Sequence, residues 1–365
     1  MPSPAYLVLE NTMIFKGISF GLPIESGDTL GEVVFTTGMT GYLETLTDPS
    51  YYGQIVVQTF PLIGNYGVIR ADFESRRATP RGYIVREWCE HPSNFRSEGD
   101  LSSFLAEEGI VGLCGVDTRA ITRIIREKGV MNGILTRDPS SVDMMSIARY
   151  TIREAVSSVS TKAPYIVPSA HDAANFKVVL WDFGAKGNIA KSLAARGCEV
   201  HVVPHDFTSE RITALRPDGV MLCNGPGDPM DNPGIISELK KLTRTGIPIF
   251  GICLGHQLLA LAMGARTQRL KYGHRGANQP VRDVKTGSLH ITTQNHGYAV
   301  VVDSIPKDTA VLRYVNANDG TCEGIDYKNI PASSVQFHPE ASAGPLDTSF
   351  LFDRFVDLMG GHKNA

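Results

Sequence analysis

The most informative stretch of the sequence is Pro248-Ile-Phe-Gly-Ile-Cys-Leu-Gly-His-Gln-Leu-Leu-Ala-Leu261. The apolar run 247–252 has the length of a strand that is buried on both faces of a sheet. The run 257–263 is rich in leucine and alanine, which are strong helix formers. The sequence therefore predicts a strand, a tight turn and a helix, with Cys253 at the turn.

Two glycines flank this cysteine, in the pattern Gly251-x-Cys253-x-Gly255 that is typical of a nucleophile elbow. Such a turn leaves little room for side chains beside the reactive one. The first N–H groups of the helix would face the sulfur and stabilise a thiolate. Cysteine is also often buried without any reactive role, so the pattern alone leaves a structural cysteine open. A nucleophile needs a base.

A candidate base lies near the C-terminus, in Ser333-Ser-Val-Gln-Phe-His-Pro-Glu340. A strand-like run ends there on His338, and Glu340 follows two residues later. Such a histidine can take the thiol proton and return it to a leaving amine, while the carboxylate holds the imidazole in the required tautomer. His-Pro-Glu by itself is more typical of a loop, and His296 competes for the role of base.

Three motifs occur in order along the chain: Gly-Ile-Cys-Leu-Gly-His-Gln at 251–257, Gln-Asn-His-Gly-Tyr at 294–298 and Phe-His-Pro-Glu at 337–340. With these motifs, the region 177–360 resembles the class I (triad-type) glutamine amidotransferases. The resemblance implies a catalytic triad of Cys253, His338 and Glu340 that hydrolyses L-glutamine through a thioester. It favours His338 over His296 as the base, because Glu340 supplies the orienting carboxylate.

The same resemblance implies a binding site for L-glutamine. Backbone N–H groups of Leu254 and of the loop Asn224-Gly-Pro-Gly-Asp-Pro229 are expected to receive the oxyanion. The other expected contacts are Gly225, Gly227, Gln257, Asn295, Gly297 and Tyr298. The family often carries phenylalanine where this chain has Tyr298, which leaves a backbone contact intact. The resemblance implies no metal site in this chain.

From residue 177 onward, buried strands alternate with helices. Strands are predicted at 178–182, 199–203 and 219–223, and helices near 188–196 and 209–215. This alternation predicts an α/β fold whose sheet is mostly parallel and covered by helices, with ligands beyond the carboxyl ends of the strands. The run 271–280, with His274 and Arg275, is interpreted as a solvated loop or a partner contact, and 289–302 as strands around a turn.

The N-terminal part has a different pattern. Short apolar runs at 6–9, 32–35 and 54–58 are separated by Gly, Pro, Asp and Ser, which predicts short strands. Helices are predicted at 101–108, with Asp100 as N-cap, and at 118–128. The chain is therefore expected to hold an α+β domain at 1–140, a Ser-, Thr-, Ala- and Pro-rich linker at 141–176, and a second domain at 177–365.

Several runs of the first domain carry a second resemblance: Gly-Glu-Val-Val-Phe at 31–35, Met-Thr-Gly-Tyr at 39–42, Leu-Thr-Asp-Pro-Ser-Tyr at 46–51, Ile-Gly-Asn-Tyr-Gly at 63–67 and Val-Asp-Thr-Arg at 116–119. They are similar to the small, glutamine-hydrolysing subunit of carbamoyl-phosphate synthetase. The family implies that Ser50, otherwise an ordinary turn residue, reaches the glutamine site. It also implies a heterodimer with a large subunit that holds the ATP and divalent metal, and no cofactor in this chain.

Composition supports this interpretation. With 42% hydrophobic residues the chain can bury large cores, and a net charge of −3 without a basic stripe argues against nucleic-acid binding. The six cysteines include no Cys-x-x-Cys pair, which is typical of reduced thiols. The start of the sequence lacks the pattern of a signal peptide, and no apolar run has the length of a membrane span. A cytoplasmic location is expected.

Two other functions compete with this interpretation. The chain could be the amidotransferase subunit of another pathway, such as anthranilate or aminodeoxychorismate synthesis, but those subunits lack a domain like 1–140. It could also be a catalytically silent regulatory subunit. Such a protein would be expected to have lost Cys253, His338 or Glu340, and all three are present.

Overall fold

The computed structural model describes residues 3–363, which form two compact units. The first unit ends at Arg153 and the second begins at Glu154. This boundary falls inside the predicted linker, 141–176. The predicted domain limits, 1–140 and 177–365, remain predictions. Residues 1, 2, 364 and 365, which belong to these predicted domains, lie outside the described residues.

The first unit is rich in strands, and seven of those in its described part close into a barrel in the order β1-β2-β8-β6-β4-β3-β9. Its strands are β1 (Pro4–Leu9), β2 (Ile14–Gly21), β3 (Thr29–Thr36), β4 (Gln54–Gln58), β5 (Leu62–Ile63), β6 (Gly82–Ile84), β7 (Glu87–Trp88), β8 (Val111–Cys114) and β9 (Met131–Thr136). The adjacent strands β3, β4, β6 and β8 run parallel to one another. Their carboxyl ends therefore meet at one rim of the barrel.

Helices and 3-10 turns connect these strands. The helices are α1 (Tyr42–Thr47), α2 (Leu101–Glu107), α3 (Thr118–Lys128) and α4 (Met144–Ala148), and the 3-10 turns are Ile24–Ser26, Pro49–Tyr51, Arg70–Asp72 and Pro139–Ser141. The Asp100 carboxylate accepts a hydrogen bond from the Ser103 N–H at 3.0 Å and so caps α2. Asp117 caps α3 by accepting from the Ala120 N–H at 2.9 Å. Both predicted helices and the predicted N-cap are confirmed.

The second unit is organised around one sheet of ten strands in the order β10-β12-β11-β13-β14-β19-β18-β17-β15-β16. These strands are β10 (Tyr165–Val167), β11 (Phe176–Asp182), β12 (Cys198–Pro204), β13 (Gly219–Leu222), β14 (Ile249–Ile252), β15 (Thr267–Asp283), β16 (Leu289–Val300), β17 (Ala310–Asn316), β18 (Cys322–Tyr327) and β19 (Ala332–Val335). The five strands β12, β11, β13, β14 and β19 pair in parallel, which confirms the predicted α/β fold.

Helices accompany the parallel strands. They are α5 (Ala155–Val159), α6 (Gly187–Ala194), α7 (Ser209–Ala214), α8 (Pro233–Leu242), α9 (Leu254–Ala262) and α10 (Phe350–Lys363), with 3-10 turns at Pro229–Asp231 and Val302–Ser304. Phe250 of β14 packs against Phe352 and Phe355 of α10, with ring centroids 6.3 and 5.9 Å away. The C-terminal helix therefore holds the strand that leads to Cys253. Within 3–363, no helix is both long and apolar enough to cross a membrane.

One predicted loop is wrong. Residues 271–280 belong to the long strand β15, which pairs with β16 in an antiparallel extension of the sheet. His274 and Arg275 are buried there rather than solvated. Their charge suggested a loop, but β15 carries register shifts on both sides of His274–Gly276, so the regular alternation that marks a strand is absent from the sequence.

Candidate active site

Cys253 stands between the last residue of β14 and the first residue of α9. Its φ of 53° and ψ of −105° fall in a region that non-glycine residues rarely adopt. A Cβ atom on Gly251 would lie 2.9 Å from the backbone oxygen of Gly255, and one on Gly255 would collide with the backbone oxygen of Leu222. The turn thus has the geometry of an elbow, and α9 begins three residues earlier than predicted, directly after the cysteine.

A glycine-rich loop lies beside this turn. The Gly255 N–H donates to the carbonyl of Cys223 at 3.0 Å, which ties the start of α9 to the end of β13. A Cβ atom on Gly225 would collide with the carbonyl of Phe183 and lie 2.8 Å from Cδ2 of Leu254, while Gly227 has a φ of 87°. The Leu254 N–H donates to no acceptor in the described part of the chain. A free N–H next to the sulfur is the arrangement that an oxyanion site requires.

The sheet brings His338 to the same edge. Strand β14 pairs in parallel with β19, and the Cys253 N–H donates to the carbonyl of Val335 at 2.9 Å. The His338 N–H in turn donates to the carbonyl of Thr293, at 2.9 Å. Cysteine and histidine therefore both follow the carboxyl ends of neighbouring strands, although they are far apart in sequence.

His338 and Glu340 form a buried pair. Nδ1 of the imidazole lies 2.6 Å from Oε1 of the carboxylate. Burial lowers the pKa of His338, but the Glu340 charge and the nearby Cys253 thiol outweigh it and raise this pKa to about 10. Burial raises the pKa of Glu340, but the positive charges of Lys186 and His338 lower it to about 2. The pair is thus an imidazolium and a carboxylate at neutral pH, and Nε2 makes no well-formed hydrogen bond within the described residues.

Lys186 is a member of the site that the sequence did not reveal. Its Nζ lies 3.0 Å from Oε1 of Glu340, and both side chains are buried. Its backbone N–H donates to Oδ1 of Asn224 at 3.0 Å, so the same residue touches the carboxylate and the glycine-rich loop. Lys186 follows the carboxyl end of β11, at the edge of the parallel sheet where ligands usually bind. This position was the one feature of the sequence that could have indicated a role for Lys186 in the site.

Several of the residues expected to bind glutamine lie next to one another and close to Cys253. Both N–H groups of the Gln257 amide are engaged, by the carbonyl of Tyr298 at 2.8 Å and by Oε1 of Gln336 at 2.9 Å. The Cys253 thiol lies 3.7 Å from the carbonyl of Asn295. The structure therefore brings Gln257, Asn295 and Tyr298 together, with Gly297 between the last two on β16.

His296 is in a different state from His338. Its Nδ1 lies 2.8 Å from the carbonyl of Tyr298 and its Nε2 lies 3.1 Å from Oε1 of Gln294. Burial, with the charge of His274 adding to it, holds the pKa of His296 well below its usual range. The neutral imidazole commits its one N–H, on Nδ1, to the Tyr298 carbonyl, and burial disfavours the imidazolium, so His296 is poorly suited to accept the thiol proton.

A network of buried polar side chains links β16 to the neighbouring strands of the antiparallel extension. Ligand atoms of His274, His296 and Glu323 lie within 4.8 Å of one another, a spacing that could hold a metal ion. The Glu323 oxygens, however, accept hydrogen bonds from the amides of Gln294 at 3.0 Å and Asn316 at 3.3 Å. This network fixes the strand that carries Asn295, and the sequence singled out neither Glu323 nor Asn316 as part of it.

Ser50 lies in the first unit, in the 3-10 turn Pro49–Tyr51. Its N–H donates to Oδ1 of Asp48 at 2.9 Å, which makes it the turn residue that the Asp-Pro-Ser signal predicts. Its expected contact with glutamine remains a prediction.

Known proteins resemble the chain over nearly its whole length. A family model described as "Carbamoyl-phosphate synthase small chain, CPSase domain" matches residues 7–135, and one described as "Glutamine amidotransferase class-I" matches 179–358. The chain is 49% identical over 361 residues to the carbamoyl phosphate synthase small chain of Symbiobacterium thermophilum, which covers 96% of this chain and 97% of the relative. The protein of the same name from Bacillus thuringiensis subsp. konkukian is 50% identical over 359 residues, with 98% and 96% covered.

Proposed function

The chain belongs to the carbamoyl phosphate synthase small chain family, and we propose that it is the glutamine-hydrolysing subunit of this synthase (EC 6.3.5.5), with Cys253, His338 and Glu340 as its catalytic triad. The observation that carries the triad is the imidazole of His338. It is held on one side by Glu340, its Nε2 makes no well-formed hydrogen bond within residues 3–363, and it follows β19, the strand whose Val335 carbonyl accepts the Cys253 N–H at 2.9 Å.

In the first half-reaction the Cys253 thiolate attacks the side-chain amide carbon of glutamine. A C–S bond forms, and the carbonyl electron pair moves to oxygen. The free N–H of Leu254 and the loop with Gly225 and Gly227 are suited to stabilise this oxyanion. When the carbonyl re-forms, the C–N bond breaks, and the His338 imidazolium gives its proton to the departing ammonia. A thioester remains on Cys253.

In the second half-reaction water attacks the thioester while neutral His338 takes its proton. The C–S bond then breaks, glutamate leaves, and the thiolate and imidazolium are restored. Glu340 stabilises the imidazolium in both resting and final states, since Oε1 is 2.6 Å from Nδ1. Lys186 limits that stabilisation by sharing the same oxygen at 3.0 Å, so it acts on the triad through Glu340 as a positioning residue.

Substrate binding follows from the arrangement of Gln257, Asn295 and Tyr298. Since both N–H groups of the Gln257 amide are engaged within the protein, its Oε1 is left to accept from the α-amino group of glutamine. Gly297 lets the substrate approach the backbone of β16 closely. Ser50 is proposed to add one hydrogen bond from the first unit.

The ammonia is proposed to pass to a large-subunit partner, which uses bicarbonate and ATP to make carbamoyl phosphate. The sequence holds no Gly-x-x-x-x-Gly-Lys-Ser/Thr phosphate loop, in line with ATP and a divalent metal belonging to the partner. The match of residues 7–135 to the small-chain domain argues against the anthranilate and aminodeoxychorismate alternatives. The presence of all three triad residues argues against a silent subunit.

The deciding experiment compares two nitrogen donors in the assembled complex. Cys253→Ser is expected to abolish carbamoyl phosphate synthesis from glutamine while synthesis from free ammonia continues, because only the nucleophile is removed. Glutamate release and carbamoyl phosphate formation are measured in parallel. Glutamine hydrolysis retained by Cys253→Ser would exclude this cysteine from the mechanism.

The role of Ser50 has its own test. Ser50→Ala is expected to raise the KM for glutamine and to leave ammonia-dependent synthesis unchanged, because it removes a binding hydrogen bond and no reacting group. An unchanged KM would show that the first unit does not contact the substrate.

A further inference from the structure

A cavity of about 540 Å³ opens at one rim of the barrel in the first unit. It is lined by residues that follow four adjacent parallel strands: Thr37 after β3, Phe60 after β4, Arg86 after β6 and Arg119 after β8. The carboxyl ends of parallel strands are where such sheets usually bind ligands. The triad uses none of these residues, so the barrel carries a second concave site with no assigned role.

Positive groups and hydrogen-bond donors converge on this cavity. Arg86 and Arg119 are exposed, and neither forms an ion pair with any residue of 3–363. The Arg119 N–H, in the first turn of the eleven-residue helix α3, meets no acceptor in the same part of the chain. Thr118 also lines the cavity and is 1% exposed.

Among residues 3–363, one acid lines the cavity, and it is already engaged. Asp117 accepts the Ala120 N–H as the N-cap of α3, at 2.9 Å. Two guanidinium groups and a free helix N–H therefore face the space with little negative charge to balance them. This donor set is suited to a carboxylate or a phosphate, which an arginine can bind through two parallel hydrogen bonds.

The apolar part of the cavity wall indicates which kind of molecule carries the anionic group. Met39 is 68% exposed, and Phe60 and Pro61 lie beside it. An inorganic oxyanion would fill a small part of about 540 Å³ and leave this apolar wall uncovered. An acidic side chain on a polypeptide, with an apolar neighbour, would engage both the arginines and the apolar wall.

We propose that this cavity is the docking site for an aspartate or glutamate side chain of the synthetase partner, inserted next to an apolar residue of that partner. This inference rests on the proposed function, which supplies the partner, and adds the surface and the chemistry by which the first unit holds it.

The experiment reverses one charge and compares two arginines of the same helix. Arg119→Glu is expected to raise the equilibrium dissociation constant for the large subunit on the order of 100-fold, because it places two negative charges next to each other inside the contact. Arg123→Glu is the control, since Arg123 lies on α3, is 74% exposed at its side chain and does not line the cavity. It should change the dissociation constant by no more than about threefold, the range of a solvent-exposed charge. Arg86→Glu should behave as Arg119→Glu does.

Further variants keep the test valid if a reversed charge disturbs folding. Arg119→Gln is expected to weaken binding about tenfold and to reduce its dependence on salt, because one charge contact is lost. Every variant should hydrolyse glutamine as the isolated chain does, since the cavity is not part of the triad. Wild-type affinity in both Arg119 variants would overturn the proposal.

Two other outcomes separate the possible failures. Inorganic phosphate or acetate that raises the melting temperature of the wild type, but not of Arg119→Gln, while partner binding stays equal in both, would show a site for a free oxyanion and overturn the proposal. Failure of the wild-type chain itself to bind the large subunit would count first against the proposed function, and with it against this docking site.

Discussion

Cys223 and Cys253 stand at the ends of neighbouring parallel strands, and both are buried. Cys223 is held by the backbone: its sulfur accepts the Phe183 N–H at 3.1 Å and lies 3.0 Å from the carbonyl of Asn224. Burial, with the charge of Asp182 adding to it, raises the pKa of the Cys223 thiol well above its usual value. This thiol has a structural role and stays protonated.

Cys253 differs in its backbone and in its neighbours. It has a positive φ, an N–H-bearing helix start directly after it, and an imidazolium close by. Its contact with a carbonyl oxygen, that of Asn295, is longer, at 3.7 Å. The proposed nucleophile thus differs from the structural cysteine in the turn that follows it and in the strand beside it, whereas burial does not distinguish the two.

Chemical labelling tests the comparison most directly. Iodoacetamide, which resembles the amide of glutamine, is expected to alkylate Cys253 on the order of 10³-fold faster than Cys223, because the thiolate is the reactive form. Peptide mass spectrometry after timed labelling of the native protein measures both rates. Equal labelling rates at Cys253 and Cys223 would contradict the proposed difference between the two thiols. As a control, excess glutamine should slow the labelling of Cys253 only.

Removal of the base is the next largest effect. His338→Asn is expected to lower kcat for glutamine hydrolysis on the order of 10³-fold, because no group then transfers the protons. His296→Asn is the matched control, since that histidine is also buried, and its Nδ1 N–H donates to the Tyr298 carbonyl at 2.8 Å. Its kcat should fall much less. A greater loss of kcat in His296→Asn than in His338→Asn would reverse the assignment of the base.

The orienting carboxylate should matter less than the base. Glu340→Gln is expected to lower kcat as well, but by a factor roughly 10²-fold smaller than the factor lost in His338→Asn. Triads in which the orienting acid is replaced show this difference. Because Glu340 is the main cause that raises the pKa of His338, the variant should also lower the pKa seen in the pH profile of kcat/KM. A profile identical to that of the wild type would show that the pair does not control the imidazole.

The same pair predicts a pH dependence of stability. A folded-state pKa of His338 near 10, above its ordinary 6.5, gives stability that is fully present below pH 6.5 and is lost as the pH rises towards 10. The melting temperature of the wild type should therefore fall across this window more steeply than that of His338→Asn. Parallel curves for the two proteins would contradict the raised pKa.

The smallest effect is expected at Cys223. Cys223→Ala leaves the buried Phe183 N–H without its acceptor and should cost about 1–3 kcal/mol of the free energy of unfolding, with kcat nearly unchanged. Cys223→Ser retains an acceptor and should cost less. Denaturant unfolding with parallel kinetics measures both. A loss of activity as large as that of the Cys253 variants would remove the distinction between a structural and a reactive thiol.

Much of the fold was predictable because its signals are local. The caps of α2 and α3, the apolar runs of the parallel strands and the two glycines around Cys253 each follow from neighbouring residues. The embedding of His274 in β15 depends on register shifts against β16, which no local pattern records. Lys186 joins Glu340 through the meeting of two distant segments, so its role became visible only when β11 and the segment after β19 lay at one edge of the sheet.

The pairing of β14 with β19 also sets the order in which the protein can become active. Residues 249–252 hydrogen-bond with residues 332–335, and the intervening chain forms the four strands of the antiparallel extension. During synthesis Cys253 leaves the ribosome long before His338, and the later strand β19 must insert between β14 and β18, at the centre of the sheet. Such distant pairing is slow to form. The nascent chain therefore carries the Cys253 thiol before the histidine that is proposed as its base, and the proposed hydrolysis of glutamine can begin only after residue 340 has been made.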